Sequence, residues 1–408
     1  DINYLSGLIG LDNWFSLENW YLYKYACAVD KIPDLAFSIA KIIKSTLGKN
    51  KKSVILDLDN TLWGGIIGDD GVEGIAIGNE QPAGMSYTEF QSYLKNLRSL
   101  GIVLNVSSKN EEDIAKQGFT KRSEAPLNYE DFLYFKANWN PKSVNISSII
   151  KDMNIGEDAF VFIDDNPAER EIVKQQLPKI RVPDVKSPEE YIKAIDRAGY
   201  FEITTFTDDD KKRNEQYKTR AKARAAMAEF TDYASYLKSL EMTGEIGSFS
   251  MAHIERITQL INKSNQFNFT TRRYTTSEVE EVINNKDKYI SCYAKLIDKF
   301  GDNGITTCMI ASVNGDVANI DLWVMSCRVL KRDLELRVFD YLVEQCKNRG
   351  IKTIEAAYLP TAKNALVKNQ YEEIGLKCVL DSPEKKLYTF DVTRNYENKN
   401  KVIDMKEV

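Results

Sequence analysis

The sequence predicts an α/β protein: a doubly wound parallel sheet, followed by a mixed α/β unit with an antiparallel centre. Three observations carry this. Over residues 51–185, short apolar runs ending in acids alternate with helical stretches, the pattern of buried parallel strands whose carboxyl ends open onto a site. A highly charged helical stretch follows, to about residue 240. From 241 onward, consecutive strands joined by Asn/Gly/Asp turns lie between helices, as in antiparallel hairpins. With 408 residues, 43% of them hydrophobic, the chain has material for two to three domains.

Residues 1–50 hold the aromatic-rich DNWFSLENWYLYKYACAVD. They read as the tail of an upstream domain or a helical lead-in, and the start at Asp1 fits a piece of something longer. The first domain spans 51–186. Its strands are SVILDLDN, IVLNVSS and DAFVFIDDNP, with KIRVPDV as a further one. Helical spacing predicts helices over 90–100, in KSVNISSIIKDM and from Ala168. Residues 187–240 form a helical connector, and DDDKKRNEQYKTRAKARAAMAEF reads as a solvated helix. The second unit, 241–395, opens with a strand and two helices, HIERITQLINKSNQF and SEVEEVINN. Two or three strands follow over 289–329, then the helix LELRVFDYLVEQCKNRG, the strand IKTIEAAYL, another helix and two closing strands. Residues 302–304 and 314–316 fit hairpin loops, and 396–408 read as a polar C-terminal tail.

Composition narrows the chemistry. Lys and Arg total 55 against 60 Asp and Glu, a formal charge of -5, which argues against gripping nucleic acid through its phosphates. The single histidine, His253, excludes multi-histidine zinc sites. His253 itself reads as a surface or cap residue on an amphipathic helix. Six scattered cysteines without a C-x-x-C pair fit neither a zinc site nor a disulfide framework, so a reducing cytoplasm is the expected compartment. No stretch approaches the roughly 18 apolar residues of a membrane span.

The sharpest motif is Asp57-Leu58-Asp59-Asn60-Thr61 at a strand's end. Alternation in an extended segment would point Asp57 and Asp59 the same way. A second pair, Asp164-Asp165, ends a later strand. Acids gathered around one crevice would repel unless a hard divalent cation joined them, and oxygen ligands of this kind suit Mg²⁺. A hydroxyl, Ser107 or Ser108, and a lysine, Lys109 or Lys142, would hold a phosphoryl group there. Alone, a D-x-D pair is ordinary in turns and helix caps. Here four pieces occur in order, each at a strand's carboxyl end or just before the next helix.

VILDLDNTLWGGIIGDD, VSSKN, NWNPKS and FIDDNPAERE resemble the haloacid-dehalogenase superfamily of phosphotransferases. More narrowly the chain resembles the FkbH-like family (subfamily IIIC), which QLINKSNQFNFTTRRY, DKFGDNG and MSCRV also match. The resemblance implies a Rossmann-like parallel sheet without a large cap, hence an open site. It implies Asp57 as the nucleophile that becomes an aspartyl phosphate and Asp59 as general acid/base. Ser108 would bind the phosphoryl group and Lys142 would neutralise nucleophile and phosphate. Mg²⁺ would be held by Asp57, Asp164 and Asp165, with Asp59 lending its backbone carbonyl. Gly64 and Gly65 suit a flexible flap after the first strand.

Residues 241–395 resemble the GNAT-type N-acyltransferase fold, in which a groove after the fourth strand takes a pantetheine thioester. The turn after that strand, RVLKRDL, has no glycine to cradle a pyrophosphate, which speaks against ordinary acetyl-CoA binding. Cys327 ends the strand IDLWVMSC and reads as a thiol able to carry an acyl group, whereas Cys292 and Cys308 read as strand-core thiols. The polar run NKSNQFNFTTRRY, 262–274, reads as a binding surface for substrate phosphate or a carrier. Proteins of this resemblance dephosphorylate 1,3-bisphosphoglycerate and load its glyceryl group onto an acyl carrier protein. The expected partners are therefore a phosphorylated small molecule and a carrier protein. The alternatives are a sugar or acyl phosphatase of surface-polysaccharide assembly with a separate acyltransferase, or a second unit that serves only for docking.

Overall fold

In the computed structural model, which describes residues 1–227 and 232–408, four short strands build the first sheet. They are β1 (Ser53–Leu56), β2 (Val103–Ser108), β3 (Phe132–Ala137) and β4 (Phe160–Ile163), in the order β3-β2-β1-β4. Every pairing is parallel. Two-residue periodicity sends Val54, Leu56, Val161 and Ile163 to one face, where they meet Phe90 and Leu94 of the helix Pro82–Ser99. Ile55, Phe160 and Phe162 go to the other, against Ile146, Ile149 and Met153 of the helix Lys142–Met153. Both faces are covered, so the sheet is doubly wound, as its continuous apolar strands require.

Two expectations for this domain need correction. KIRVPDV forms no strand; only Arg181 bridges to Val161. Pro183, two residues on, has no N–H to continue a ladder. The edge strand β3 went unpredicted because its residues are largely half-buried and its apolar alternation is blurred.

Residues ahead of β1 form the helices Ile2–Ile9, Leu11–Trp14, Leu17–Tyr23 and Ile32–Thr46. Leu11, Leu17, Tyr21 and Leu22 are exposed there. The last of these helices is tied down where the Ser45 hydroxyl donates to the Glu202 carbonyl, at 2.9 Å.

The predicted long connector helix is observed as Arg213–Met227; residues 228–230 of that prediction lie outside the described ones. It is not simply solvated. Tyr217 and Ala223 are buried, Arg220 donates to the Met153 carbonyl at 2.9 Å, and Thr219 donates to the Phe300 carbonyl at 3.3 Å. One face is wedged between the two units.

The second sheet contains β5 (Met242–Gly247), β6 (Phe267–Asn268), β7 (Tyr289–Asp298), β8 (Gly301–Asn314), β9 (Val317–Met325), β10 (Thr353–Tyr358), β11 (Lys377–Asp381), β12 (Lys386–Asp391) and β13 (Ile403–Glu407). Its main path is β11-β12-β10-β9-β8-β7-β5-β13, with β6 laid against β9. Pairing is antiparallel except at β9–β10 and β5–β13. The last residues are thus no polar tail: β13 closes the sheet's edge, and the Asp340 carboxylate accepts the backbone N–H groups of Lys399 and Asn400, each at 2.9 Å. The β7–β8 turn also differs from expectation. It falls at 298–301, where the Asp298 carboxylate accepts from the N–H of Phe300 (2.9 Å) and Gly301 (3.2 Å). Residues 302–304 lie inside β8 beside a register shift. The β8–β9 turn is as expected, with Gly315 at φ 61°.

Candidate active site

Asp57 follows β1 directly. Its N–H donates to the Ile163 carbonyl at 3.0 Å, which fixes the end of β1 beside the end of β4. The next residues of β4's chain are Asp164 and Asp165. One carboxylate oxygen from each of Asp57, Asp164 and Asp165 lies within 4.8 Å of the other two. Lys142, the first residue of its helix, aims its ammonium into the group, 2.8 Å from Asp57 Oδ2 and 2.6 Å from Asp164 Oδ2. Asp57, Asp164 and Lys142 are all buried. The loop after β4 is shaped by Arg170, which donates to the main-chain carbonyls of Asp164 (2.9 Å) and Asp165 (2.6 Å). The Asp165 N–H donates to Thr61 Oγ1 at 3.2 Å.

The electrostatics follow from the count of three carboxylates to one ammonium. Burial and the Asp57 charge raise the Asp164 pKa, and the same two causes raise that of Asp165. For Lys142, burial disfavours the charge, but Asp57 and Asp164 outweigh it and hold the pKa above the ordinary value. Two surplus negative charges among clustered oxygen donors fit a hard divalent cation.

Asp59 is placed differently from expectation, and its carboxylate is not part of that group. Its Oδ1 accepts from Trp63 Nε1 (2.9 Å) and the Ile67 N–H (3.0 Å), and its Oδ2 from Asn110 Nδ2 (2.8 Å). Strand alternation fails here because the chain turns at once. Thr61 and Leu62 both donate N–H groups back to the Leu58 carbonyl, and Asn60 takes φ 53°.

The two candidate serines are separated in role. Ser107 Oγ donates to the Lys142 carbonyl at 3.3 Å and so fixes the start of that helix. Ser108 Oγ accepts from Asn110 Nδ2 at 3.2 Å, beside Asp59. Lys109 reaches away to Glu169, at 2.6 Å. Asn110, buried and bridging Ser108 to Asp59, escaped the sequence reading; its place two residues after Ser108 in VSSKN was the available signal. Gly65 takes φ 91° while Gly64 and Ala76 exchange backbone bonds. Between β1 and β2 the chain makes the helices Ile67–Gly74 and Pro82–Ser99 and no cap-sized insertion.

Cys327 lies elsewhere. It follows β9, begins the single turn Cys327–Val329, and is half-buried against the apolar cluster containing Ile55 and Phe160. It shares a cavity with Lys52 and residues 155–159, which precede β1 and β4. This is the amino end of the parallel sheet. Five steps of extended chain from Lys52 to Asp57, at ~3.3 Å each, put the two ends on the order of 16 Å apart. Cys327 and the carboxylates therefore do not share one crevice. Cys292 and Cys308 are buried strand thiols, with pKa values raised by burial.

The groove expected beside Cys327 is filled by the chain itself. β9 and β10 pair only over 317–320 and 353–356, and β6 enters where they part, pairing Phe267 with Met325 and Asn268 with Val324. Beyond it the Leu359 N–H donates to the Phe269 carbonyl at 2.9 Å. The Phe269 ring stacks on Tyr371 at 4.0 Å and on Trp323 at 5.5 Å. Much of the polar run 262–274 holds this plug, whereas Lys263 lines the cleft beside Cys327. Asn268 donates to the Ser264 carbonyl, Asn262 to the Tyr274 carbonyl and Arg273 to those of Ile261 and Ser264. His253 is the cap residue of the helix Ile254–Lys263, its ring 5.0 Å from that of Tyr293.

The sequence matches no protein-family model and no curated protein. Among solved structures, the N-terminal part of the protein BF1531 from Bacteroides fragilis, containing a phosphatase domain complexed with Mg, is 37% identical over 50% of this chain and 55% of its own, with a TM-score of 0.49. This chain thus spans about half of that one. The ribosomal-protein-S18-alanine N-acetyltransferase from Escherichia coli is 13% identical over 38% of this chain and 99% of its own, at a TM-score of 0.29. The GNAT domain of S. lividans PAT is 13% identical over 36% and 90%, at 0.31.

Proposed function

We propose that the first domain is a Mg²⁺-dependent phosphatase working through an aspartyl phosphate. The observation that carries this is the group of three carboxylates with one buried lysine at the carboxyl ends of adjacent parallel strands. The cation would be held by the carboxylates of Asp57, Asp164 and Asp165, with the Asp59 carbonyl as a further ligand. When bound, it offsets charge on the carboxylates and the phosphoryl oxygens.

Asp57 attacks phosphorus, the bond to the leaving oxygen breaks, and Asp59 gives that oxygen a proton. Asp59 then takes a proton from the water that hydrolyses the aspartyl phosphate. Its Oδ2, with Asn110 as its one donor among the described residues, is the oxygen left to carry the proton. Ser108 and Lys142 hold the phosphoryl oxygens. The test is Asp57→Asn, assayed with Mg²⁺ on small phosphate esters: abolished turnover supports the reading and retained turnover overturns it.

The finer reading joins this to acyl transfer. Asp57 would take a phosphate ester, as in 1,3-bisphosphoglycerate. Hydrolysing the acyl phosphate there would discard the activated carbonyl. That carbonyl would instead meet the Cys327 thiolate: a C–S bond forms, the C–O bond to phosphate breaks, and a carrier-protein thiol later displaces Cys327. The similarity of the second unit to acyltransferase folds suits this, as does a half-buried thiol facing a cleft. The two reactions would then use opposite ends of the sheet. The filled groove between β9 and β10 also favours a second reading, in which the second unit only docks a carrier. Intact-mass measurement after mixing the protein with 1,3-bisphosphoglycerate and carrier proteins separates the two.

A further inference from the structure

The cleft that contains Cys327 holds more positive charge than its own acids neutralise. It runs between the two units and encloses about 550 Å³. On one side it adjoins a second cavity of about 670 Å³, with Lys52, Arg213 and Lys263 in the wall common to both. Arg256 and Arg328 also line the Cys327 side.

The acids facing these five cations are Asp209 and Asp210, with Glu157 also lining the cleft. Asp209 takes Arg256 at 2.7 Å and Arg328 at 3.8 Å. Asp210 takes Arg213, and Lys263 at 3.6 Å. The Lys52 ammonium has no hydrogen bond or ion pair among the described residues. At the rim, Asp158 is already paired with Lys363. With Lys263 protonated, five positive charges against three leave a surplus of two.

The cost of this crowding is visible in the bases. Lys263 is pushed down to about 7 by burial and by Arg213, Lys52 and Arg256. Arg256 is pushed down to about 10 by burial and Arg328. Lys52 is lowered by burial, with Cys327 acting in the opposite sense. An anion placed among them would relieve both the repulsion and the desolvation. A mononegative group would leave half of the surplus standing, whereas a phosphate dianion offsets it.

We propose that this cleft is a second phosphate site, which holds the phosphate of a phosphomonoester on Lys52, Lys263 and Arg213 while the rest of the molecule lies toward Cys327. It needs no metal and is separate from the carboxylate site at the other end of β1. Whether Asp57 is a nucleophile has no bearing on it.

The test uses the intact chain in EDTA, where the clustered carboxylates repel anions and leave the cleft as the only site proposed for them. Cys327 and the other half-buried thiol, Cys378 on β11, are alkylated by iodoacetate and by neutral iodoacetamide, and each is followed by peptide mass spectrometry. The expected result is an iodoacetate-to-iodoacetamide rate ratio roughly tenfold higher at Cys327 than at Cys378, since a focused positive field concentrates anions. Inorganic phosphate should slow alkylation at Cys327 and leave Cys378 unchanged. Lys52→Met and Lys263→Met should each lower the ratio at Cys327 severalfold. Equal ratios at the two thiols, or no protection by phosphate, would overturn the proposal, and the wild-type comparison decides this even if neither variant folds.

Discussion

Lys142 places its ammonium 2.8 Å from the Asp57 carboxylate, and the same nitrogen lies 2.6 Å from Asp164. One lysine thus touches the proposed nucleophile and one of its two acidic neighbours. The arrangement holds Asp57 in place for attack, yet leaves the site short of positive charge. That shortage makes the site's chemistry and its stability depend on the same cation.

Asp57→Asn should lower turnover of small phosphate esters by at least about a thousandfold, since an amide is a poor nucleophile. Its carbonyl can still accept from Lys142, so the fold should stand. Steady-state rates on purified variant, with circular dichroism as the folding check, measure this.

Without metal, stability should fall as pH rises. Asp164 has its pKa raised to about 7 by burial and Asp57, and that of Asp165 is raised as well. The folded state therefore binds more protons than the unfolded one between the ordinary aspartate range and about 7. The sign of the linkage makes unfolding easier across that window. Mg²⁺ at a hundredfold excess over its Kd should return about 2.7 kcal/mol. Thermal melts at pH 5 and pH 8, with EDTA and with Mg²⁺, check both statements. A melting temperature indifferent to the cation would contradict the shared site.

Asn110→Leu should slow turnover by roughly ten- to a hundredfold, because it removes the donor that positions both Asp59 and Ser108. Asn110→Ser, a smaller donor, should recover part of the loss. Equal rates for all three proteins would reduce Asn110 to a packing role.

Glu335 offers a pH test away from the site. It lies in the first turn of the helix Leu334–Asn348, is 9% exposed, and its Oε2 has no hydrogen-bond partner among the described residues. Burial pushes its pKa up to about 7, so its ionisation destabilises the fold as pH climbs from the ordinary glutamate range through 7. Glu335→Gln should stabilise the protein at pH 8 by on the order of 2 kcal/mol and change little at pH 4. Denaturant titrations at both values decide it.

The sequence already carried the doubly wound sheet and the acids at its strand ends, because both rest on local pattern: apolar runs such as SVIL and FVFI, each closed by aspartate. Asp59 misled because the turn after Leu58 breaks the alternation that would have aimed it beside Asp57. β3 was lost because an edge strand with half-buried residues keeps no clean period. The position of Cys327 was beyond reach for a different reason. It depends on how two units dock, through a helix whose buried face reads as charged and solvated in the sequence, and no local spacing encodes that. The segment around Phe269 is a similar case: the amides of Asn262 and Asn268 and the guanidinium of Arg273, suited to a ligand, instead bind the chain's own carbonyls.

The distance between the two ends of β1 leads to the most demanding prediction. If Cys327 carries an acyl group, incubation with an acyl phosphate should leave a thioester on that residue, seen as a mass increase on its peptide and removed by hydroxylamine. Cys327→Ala should lose carrier loading and keep ester hydrolysis at Asp57 within about twofold, because a change on the order of 16 Å away alters neither nucleophile nor cation. Phe269→Ala should cost about 3–5 kcal/mol in stability from the emptied stack on Tyr371 and Trp323. It should not create acetyl-CoA turnover, since the RVLKRDL turn still lacks a pyrophosphate cradle. Carrier loading at the parent rate by Cys327→Ala would make this thiol structural and leave direct transfer from acyl phosphate to the carrier thiol as the better account.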